Sequence, residues 1–166
     1  MFFENVTVDG VTKPRFEKIN FDFKIKTNLD DQQIQNLASV LEPSFNQSFN
    51  LQSFKSRFDQ YRNILCIEAY DGPKLVGFKI GYALDQDTFY SWLGGVLPEY
   101  QQLGVGSELM RQQHQWCTLQ KYKKIETKSQ NDYVSMIKLN LNFGFRVVGT
   151  TSTEAKPLKI LLEKYL

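Results

Sequence analysis

A short glycine-containing stretch has the residue types and spacing of an anion-binding loop. Gln101, Gly104 and Gly106 follow the Pro98-Glu99 pair, and an apolar periodicity of about 3.6 residues begins directly after them. Glycine lets the backbone turn tightly, and the first amides of the predicted helix have no partner within that helix. Together with the positive end of the helix dipole, such amides bind phosphate or pyrophosphate groups. We therefore predict an anion-binding helix N-terminus here.

Two well-known phosphate-binding loops do not match this stretch. A dinucleotide-binding G-x-G-x-x-G loop would need its third glycine where Leu109 stands, and a Walker loop would need a Gly-Lys-Ser/Thr sequence. The stretch instead resembles motif A of the GNAT acyltransferases, which use acetyl-coenzyme A. The residues that carry this resemblance are Val96-x-Pro98-Glu99-x-Gln101-x-x-Gly104-x-Gly106.

A second stretch, residues 131–145, resembles motif B of the same family. Met136, Asn140 and the Gly144-Phe145 pair stand at the family's mutual spacings, after a predicted strand. The two motifs occur in the family's order and at its usual distance. The resemblance is firm from about Tyr82 to about Gly149.

The resemblance implies an α+β fold, with a central, mostly antiparallel twisted sheet that is flanked by helices and splayed at a bulged strand. It also implies acetyl-CoA as co-substrate, with the pantetheine arm beside Val96 and the pyrophosphate on the amides of residues 102–107. Tyr133 stands where the family tends to carry a coenzyme-binding asparagine, which leaves Asn131 or Gln130 for that role. The predicted coenzyme-binding residues are Val96, Gln101, Gln102, Gly104, Val105, Gly106, Ser107, Asn131 and Asn140.

Acetyl transfer to an amine requires loss of an amine proton and stabilisation or protonation of the leaving thiolate. The family often places Glu or His on the motif A strand as the base, but Tyr90 and Trp92 occupy the matching positions. A tryptophan cannot accept a proton, and a neutral tyrosine is a poor base. The tyrosine that often serves as the acid is replaced by Asn140, whose amide can only donate a hydrogen bond to sulfur.

Three residues are therefore candidates for catalytic roles: Asn140, Tyr133 and Glu68. Tyr133 precedes Asn140 by seven residues and would share its helix face, about 10 Å away along the axis. Glu68 lies in a predicted strand and would act as a base through water, with a solvated surface charge as the alternative. Positioning of the amine and the thioester can supply much of the rate without a dedicated base.

The composition fits one globular domain over residues 1–166, with residues 1–20 as an N-terminal arm or hairpin. The net charge is only +2, which is not typical of a protein with a broad basic surface, so we expect no nucleic-acid partner. Apolar runs are shorter than the roughly 20 residues that span a bilayer, so we expect a cytoplasmic protein without a membrane partner. Cys66 and Cys117 fit small core residues in a reducing compartment. With His114 as the single histidine, we predict no metal site.

Periodicity and turn residues predict the elements that position these side chains. The expected strands span residues 21–26, 64–70, 75–84, 88–96, 124–128, 145–150 and 158–165. The expected helices span about 31–43, 51–61, 107–120 and the motif B segment. Pro43 is expected to end the first helix, and the Gly94-Gly95 pair to mark a bulge or a close approach to the backbone.

The sequence thus predicts an acetyl-CoA-dependent N-acetyltransferase. The acetyl group would move from the thioester to an amine of a small molecule, peptide or protein, by direct attack in a ternary complex. The alternative is a catalytically weak coenzyme A-binding module with a sensing or regulatory role, which the replaced acid and base favour. The expected partner is the amine acceptor, and a homodimer stays open.

Overall fold

Nine strands and four helices form in the part of the chain that the computed structural model describes, which comprises residues 4–8, 11–15, 20–45, 50–153 and 156–166. The strands are β1 (Glu4–Val8), β2 (Val11–Arg15), β3 (Asp22–Lys26), β4 (Arg62–Asp71), β5 (Lys74–Ala83), β6 (Thr88–Val96), β7 (Lys124–Ser129), β8 (Arg146–Thr153) and β9 (Lys156–Tyr165). The helices are α1 (Asp31–Phe45), α2 (Leu51–Phe58), α3 (Val105–Leu119) and α4 (Val134–Asn142), with a short 3-10 turn at Pro98–Tyr100. None of these described helices combines the length and the apolar composition that a membrane crossing requires.

Seven strands form one sheet in the order β3-β4-β5-β6-β7-β9-β8. All neighbours in it are antiparallel except β6 and β7, which are parallel and joined through α3. A parallel pair needs such a crossover because the chain must return to the edge from which it started. The predicted α+β architecture with a mostly antiparallel sheet is confirmed. Within residues 1–20, β1 and β2 pair with each other in a separate two-stranded sheet.

Helices cover both faces of the sheet, so the sheet separates two cores. On one face, Leu37 of α1 and Phe54 of α2 lie in a buried cluster with Phe78 of β5. On the other face, Leu109 of α3 lies in a second cluster with Ile67 of β4. The central strands are consequently buried on both sides, and their polar side chains need partners.

Pro43 does not end α1, which continues to Phe45. Pro43 cannot donate an amide hydrogen to the carbonyl oxygen of Ser39, but contacts of the next residue hold the last turn of the helix in place. The hydroxyl oxygen of Ser44 lies 2.6 Å from the carbonyl oxygen of Val40, one turn earlier. The same hydroxyl lies 3.1 Å from the carbonyl oxygen of Val96, so the longer helix reaches the end of β6.

The bulge in β6 lies at Trp92 and not at the Gly94-Gly95 pair. The register of β6 against β5 shifts there, which leaves Trp92 as an extra residue, whereas both glycines pair regularly. A Cβ atom on Gly95 would lie 2.9 Å from the hydroxyl oxygen of Ser44. Glycine is therefore required at this position by the close approach of α1.

The two parallel strands β6 and β7 separate soon after they meet. They pair only between Thr88–Tyr90 and Lys124–Glu126, although both strands continue beyond these residues. The hydroxyl of Thr127 donates to the carbonyl oxygen of Ser91 at 2.8 Å, directly past the last paired residues. Beyond that bond the sheet is splayed, as predicted.

Candidate active site

A cavity of about 540 Å³ lies where β6 and β7 separate. Its walls come from the end of α1, from both strands, from the start of α3 and from α4. The residues that line it include Phe45, Trp92, Val96, Ser129, Tyr133 and Asn140. The two sequence motifs, separated along the chain, thus meet at one cavity.

The main chain of Val96 faces this cavity. Val96 stands opposite Gly77 of β5, and the next amide, that of Leu97, donates to the carbonyl oxygen of Val76 at 2.9 Å. In an antiparallel ladder this makes Val96 part of a non-hydrogen-bonded pair, so its N–H and C=O point away from β5. The carbonyl oxygen lies 3.1 Å from the Gln101 side-chain amide, which donates to it.

The glycine loop is held in place by contacts to the β4–β5 hairpin. The Glu99 carboxylate lies 3.0 Å from the Lys74 ammonium, and the Tyr100 hydroxyl donates to Asp71 at 2.9 Å. The first bond of α3 runs from the Glu108 amide to the Gly104 carbonyl oxygen, at 3.0 Å. The amides of residues 105–107 precede that bond and have no partner within the helix.

Gly104 and Gly106 serve this loop in different ways. Gly104 has a φ of 88°, in the left-handed region that favours glycine. Gly106 has ordinary helical backbone, and a Cβ atom there would lie 3.7 Å from Leu139. The positive φ therefore explains only the first glycine; Gly106 lines the cavity, and its immediate neighbours leave room for a Cβ atom.

Comparison with known families supports the assignment made from these motifs. The model of the acetyltransferase (GNAT) family matches residues 34–145. The chain belongs to the GNAT acetyltransferase family. The match includes most of α1, upstream of the stretch that carries the two motifs. A comparison with curated protein sequences gives no match.

Solved GNAT structures share the fold. Ard1 from Thermoplasma volcanium has a TM-score of 0.74 at 14% identity, with 87% of this chain and 97% of that chain covered. The ribosomal-protein-S18-alanine N-acetyltransferase from Escherichia coli has a TM-score of 0.73 at 15% identity, with 87% and 94% covered. A GNAT family acetyltransferase from Elizabethkingia anophelis with acetyl-CoA bound has a TM-score of 0.65 at 18% identity, with 89% and 99% covered.

The structure separates the predicted coenzyme-binding residues into two groups. Those that line the cavity are Val96, Gln101, Gln102, Gly106 and Asn140, and those that do not are Gly104, Val105, Ser107 and Asn131. The Val105 side chain is buried in the core, so only its main chain could meet a ligand. Asn131 is exposed in a turn, whereas its neighbour Gln130 lines the cavity. Of these two alternatives, Gln130 is therefore the one that the fold places at the cavity.

Asn140, the first catalytic candidate, lies at the cavity wall and is 2% exposed. Its side-chain amide donates to the carbonyl oxygen of Met136 at 3.0 Å, within α4. Its backbone carbonyl accepts from the amides of Phe143 and Phe145, at 3.1 and 3.0 Å. The backbone of Asn140 thus holds the turn at Gly144, and its side chain bonds within α4 at the border of the cavity.

Tyr133, the second candidate, precedes α4 and does not lie within it. Its ring packs edge-on against Phe45 at the end of α1, with 5.4 Å between ring centroids. Both rings line the cavity, so this contact joins its two sides. The helix therefore begins one residue after Tyr133, and Tyr133 does not share a helix face with Asn140 as predicted.

Glu68, the third candidate, is not at the cavity. It is 1% exposed, so the alternative of a solvated surface charge is wrong. Its carboxylate lies 2.7 Å from the Lys26 ammonium and accepts from the Tyr70 hydroxyl at 2.8 Å. A carboxylate so neutralised, away from the cavity lining, is not placed to remove a proton from an acceptor there.

Tyr90 and Trp92, which occupy the positions where the family often has its base, lie in an aromatic cluster. Trp92 packs against Phe54, Phe58 and Tyr61, with ring centroids 5.4 to 5.7 Å apart. Burial, together with the charges of Tyr61 and Glu126, raises the pKa of Tyr90 to about 12. Neither Tyr90 nor Trp92 can therefore exchange a proton near neutral pH.

One residue at the cavity was missed by the sequence reasoning. Lys79 of β5 lines the cavity and is 6% exposed, and it has no hydrogen bond or ion pair with any described residue. Burial lowers its pKa to about 8. A lysine in the apolar strand segment Leu75–Ala83 was the available signal, because both faces of a central strand are buried.

Proposed function

We propose that this GNAT protein is an acetyl-CoA-dependent N-acetyltransferase. It would transfer the acetyl group to an amine of a small molecule, peptide or protein by direct attack in a ternary complex. The observation that supports this most is the splayed β6–β7 pair with the outward N–H and C=O of Val96 in the resulting cavity. An extended amide-bearing chain such as pantetheine can add to such an edge in the way that a strand does.

The residues in and beside the cavity support this co-substrate. The Val96 amide would hold a pantetheine carbonyl, and the amides of residues 105–107 would hold the pyrophosphate. Asn140 would donate a hydrogen bond toward the sulfur end. The bound thioester supplies an activated acetyl group, and the chain's own groups hold it and the amine in line.

A coenzyme A-binding module with little turnover is the second candidate. Tyr90 and Trp92 belong to a packed aromatic cluster, and Asn140 is no proton donor, so the residues that usually exchange protons in the family are absent from their positions. This candidate shares the coenzyme site with the first and differs from it only in turnover.

Calorimetry with acetyl-CoA tests what the two candidates share. We expect micromolar to sub-millimolar binding that Gly104→Val weakens by about 100-fold, because valine disfavours the positive φ that the loop needs. Gly72→Val is the matched control, since Gly72 has a φ of 54° in the β4–β5 turn, outside the cavity lining. Equal losses in both variants would mean that strain, and not the site, is being measured.

Thiol release then separates the two candidates. The amine panel covers polyamines, aminoglycosides, amino acids and peptides with a free N-terminus. One similar structure is named as an alanine N-acetyltransferase of a ribosomal protein, which is a reason to include peptides that begin with alanine. Release above background with any amine supports the enzyme, and none across the panel favours the binding module.

A further inference from the structure

Lys79 is 6% exposed, in a place where a charged lysine is energetically costly. An ammonium group removed from water without an opposite charge costs several kcal/mol, so buried lysines are usually paired or neutral. Lys79 has neither an ion pair nor a hydrogen bond among the described residues. Its side chain reaches the cavity between β6 and β7, beside Gly94, its cross-strand neighbour.

We infer that Lys79 is the proton donor to the departing coenzyme A sulfur, in place of the tyrosine that Asn140 has replaced. The inference rests on the proposed N-acetyltransferase function. Lys79 and Asn140 line the same cavity, although they come from β5 and α4. They would act together there, with the amide as a hydrogen-bond donor and the ammonium as the acid.

Further unsatisfied polar groups lie on the same side of the sheet as Lys79. Gln113 of α3 is 0% exposed, and neither its amide nitrogen nor its oxygen has a partner among the described residues; the same holds for the Nε2 atom of His114. Lys79 is close enough for its charge to help lower the pKa of His114. Neither Gln113 nor His114 lines the cavity, so this polar layer borders Lys79 from the side of α3.

Three titratable groups on the same side of the sheet as Lys79 cannot supply the proton. Burial and the charges of Lys164 and Lys79 lower the pKa of His114 to about 3, so its imidazole is neutral at physiological pH. Burial raises the pKa of Cys117 to about 12, so that thiol keeps its proton. Lys164 contacts His114 at 3.0 Å and does not line the cavity. Lys79, with a pKa of about 8, is protonated at neutral pH and close to an alkyl thiol of about 8.5.

The step balances without a further reagent. The neutral acceptor amine attacks the thioester carbonyl carbon, a C–N bond forms, and the C–S bond breaks with its electron pair on sulfur. The sulfur takes a proton from the Lys79 ammonium and leaves as the thiol. The surplus proton on the new amide nitrogen passes through solvent to the neutral Lys79 amine, which restores the starting state.

The affinity of free coenzyme A relative to acetyl-CoA gives a readout that needs no acceptor. In the wild-type protein the coenzyme thiol and the Lys79 ammonium have nearly matched pKa values and can share a proton, so this ratio should stay nearly constant from about pH 6 to about pH 8.5. In Lys79→Met the ratio falls over the same range, because a thiolate would then be buried without a counter-charge. The 3′-phosphate, Lys164, His114 and Cys117 are common to both complexes and cancel.

Turnover provides the second readout. Lys79→Met should lower kcat at least 100-fold with acetyl-CoA affinity retained, the range expected for loss of a general acid. Lys24→Met, on the exposed edge strand β3, is the control and should leave kcat unchanged. Lys79→Gln is used if the methionine variant does not fold.

The outcomes distinguish a failure of the proposed function from a failure of the role of Lys79. If the wild-type protein does not bind acetyl-CoA at millimolar concentration, the proposed function fails, and with it the role of Lys79. If the coenzyme binds but the affinity ratio follows the same pH course in wild type and Lys79→Met, only the role of Lys79 is overturned.

Discussion

The two faces of the sheet beside the cavity differ in the kind of side chain that they bury. On the α1–α2 face, Trp92 and its aromatic neighbours fill the space with ring-to-ring contacts. On the α3 face, the side-chain amide of Gln113 and the Nε2 atom of His114 are buried without a partner among the described residues, and Lys79 is only 6% exposed. Both faces belong to the same strands, and successive side chains of a strand point to opposite faces. The contrast therefore comes from the residue types at alternate strand positions.

This difference indicates how the molecule divides its tasks. Close aromatic packing is what stability selects, because it removes apolar surface from water and leaves no polar group without a partner. Buried polar groups without partners lower stability and persist where a ligand or a reaction uses them. We therefore expect substitutions on the first face to weaken the fold, and apolar substitutions on the second to strengthen it.

Trp92→Ala should have the largest effect, a loss of about 3 kcal/mol in the free energy of unfolding, because it empties the centre of the aromatic cluster. Denaturation in urea measures it. Trp92→Phe keeps a ring in the cluster and should lose about 1 kcal/mol. A loss below that value for the alanine variant would show that the cluster does not support the fold.

Lys79→Met should remove a pH dependence of stability. The pKa of Lys79 is about 8 in the folded protein against 10.5 for an ordinary lysine, so between these values only the unfolded chain holds the proton. Wild-type stability therefore rises with pH across this window. The methionine variant should melt about 5 °C higher than wild type near pH 7, and the gap should shrink toward pH 10. If the difference in melting temperature between the two proteins did not change with pH, Lys79 would not be a buried lysine with a lowered pKa.

Gln113→Met should raise the free energy of unfolding by about 1 kcal/mol, because it replaces two unpartnered buried polar atoms with an apolar chain of similar length. The comparison variant is Gln112→Met on the same helix. The Gln112 amide donates to Glu108 at 2.8 Å, so this change should be neutral or slightly destabilising. Chemical denaturation measures the free energy of unfolding of both variants. If Gln113→Met is less stable than wild type, Gln113 has a hydrogen-bond partner in the folded state.

Asn140→Ala should change stability least, by less than about 1 kcal/mol, because the lost bond to Met136 is offset by the better helix propensity of alanine. If the amide holds the sulfur, kcat and kcat/KM should fall together by about tenfold with coenzyme affinity retained. Steady-state kinetics and a melting curve on one preparation separate the roles. Unaltered kinetics would leave Asn140 with a structural role only.

The placement of polar side chains shows where sequence reasoning stopped. Glu68 and Lys79 both alternate with apolar residues in predicted strands, so each could have faced water. Both are buried, because helices cover the two faces of the sheet. Strand periodicity assigns a residue to a face but does not reveal what covers that face, so it predicts the burial of neither Glu68 nor Lys79.

Local sequence by itself determined the family, the order of the elements and the glycine loop. These depend on short-range spacing: Gly104 takes its positive φ within one turn, and alternation marks the strands that pair. Only the tertiary structure decided that α1 runs past Pro43, that the bulge lies at Trp92, and that Lys79 and Asn140 line one cavity. The physical reason is that these features arise from contacts between elements distant in sequence, where packing and burial outweigh local preference.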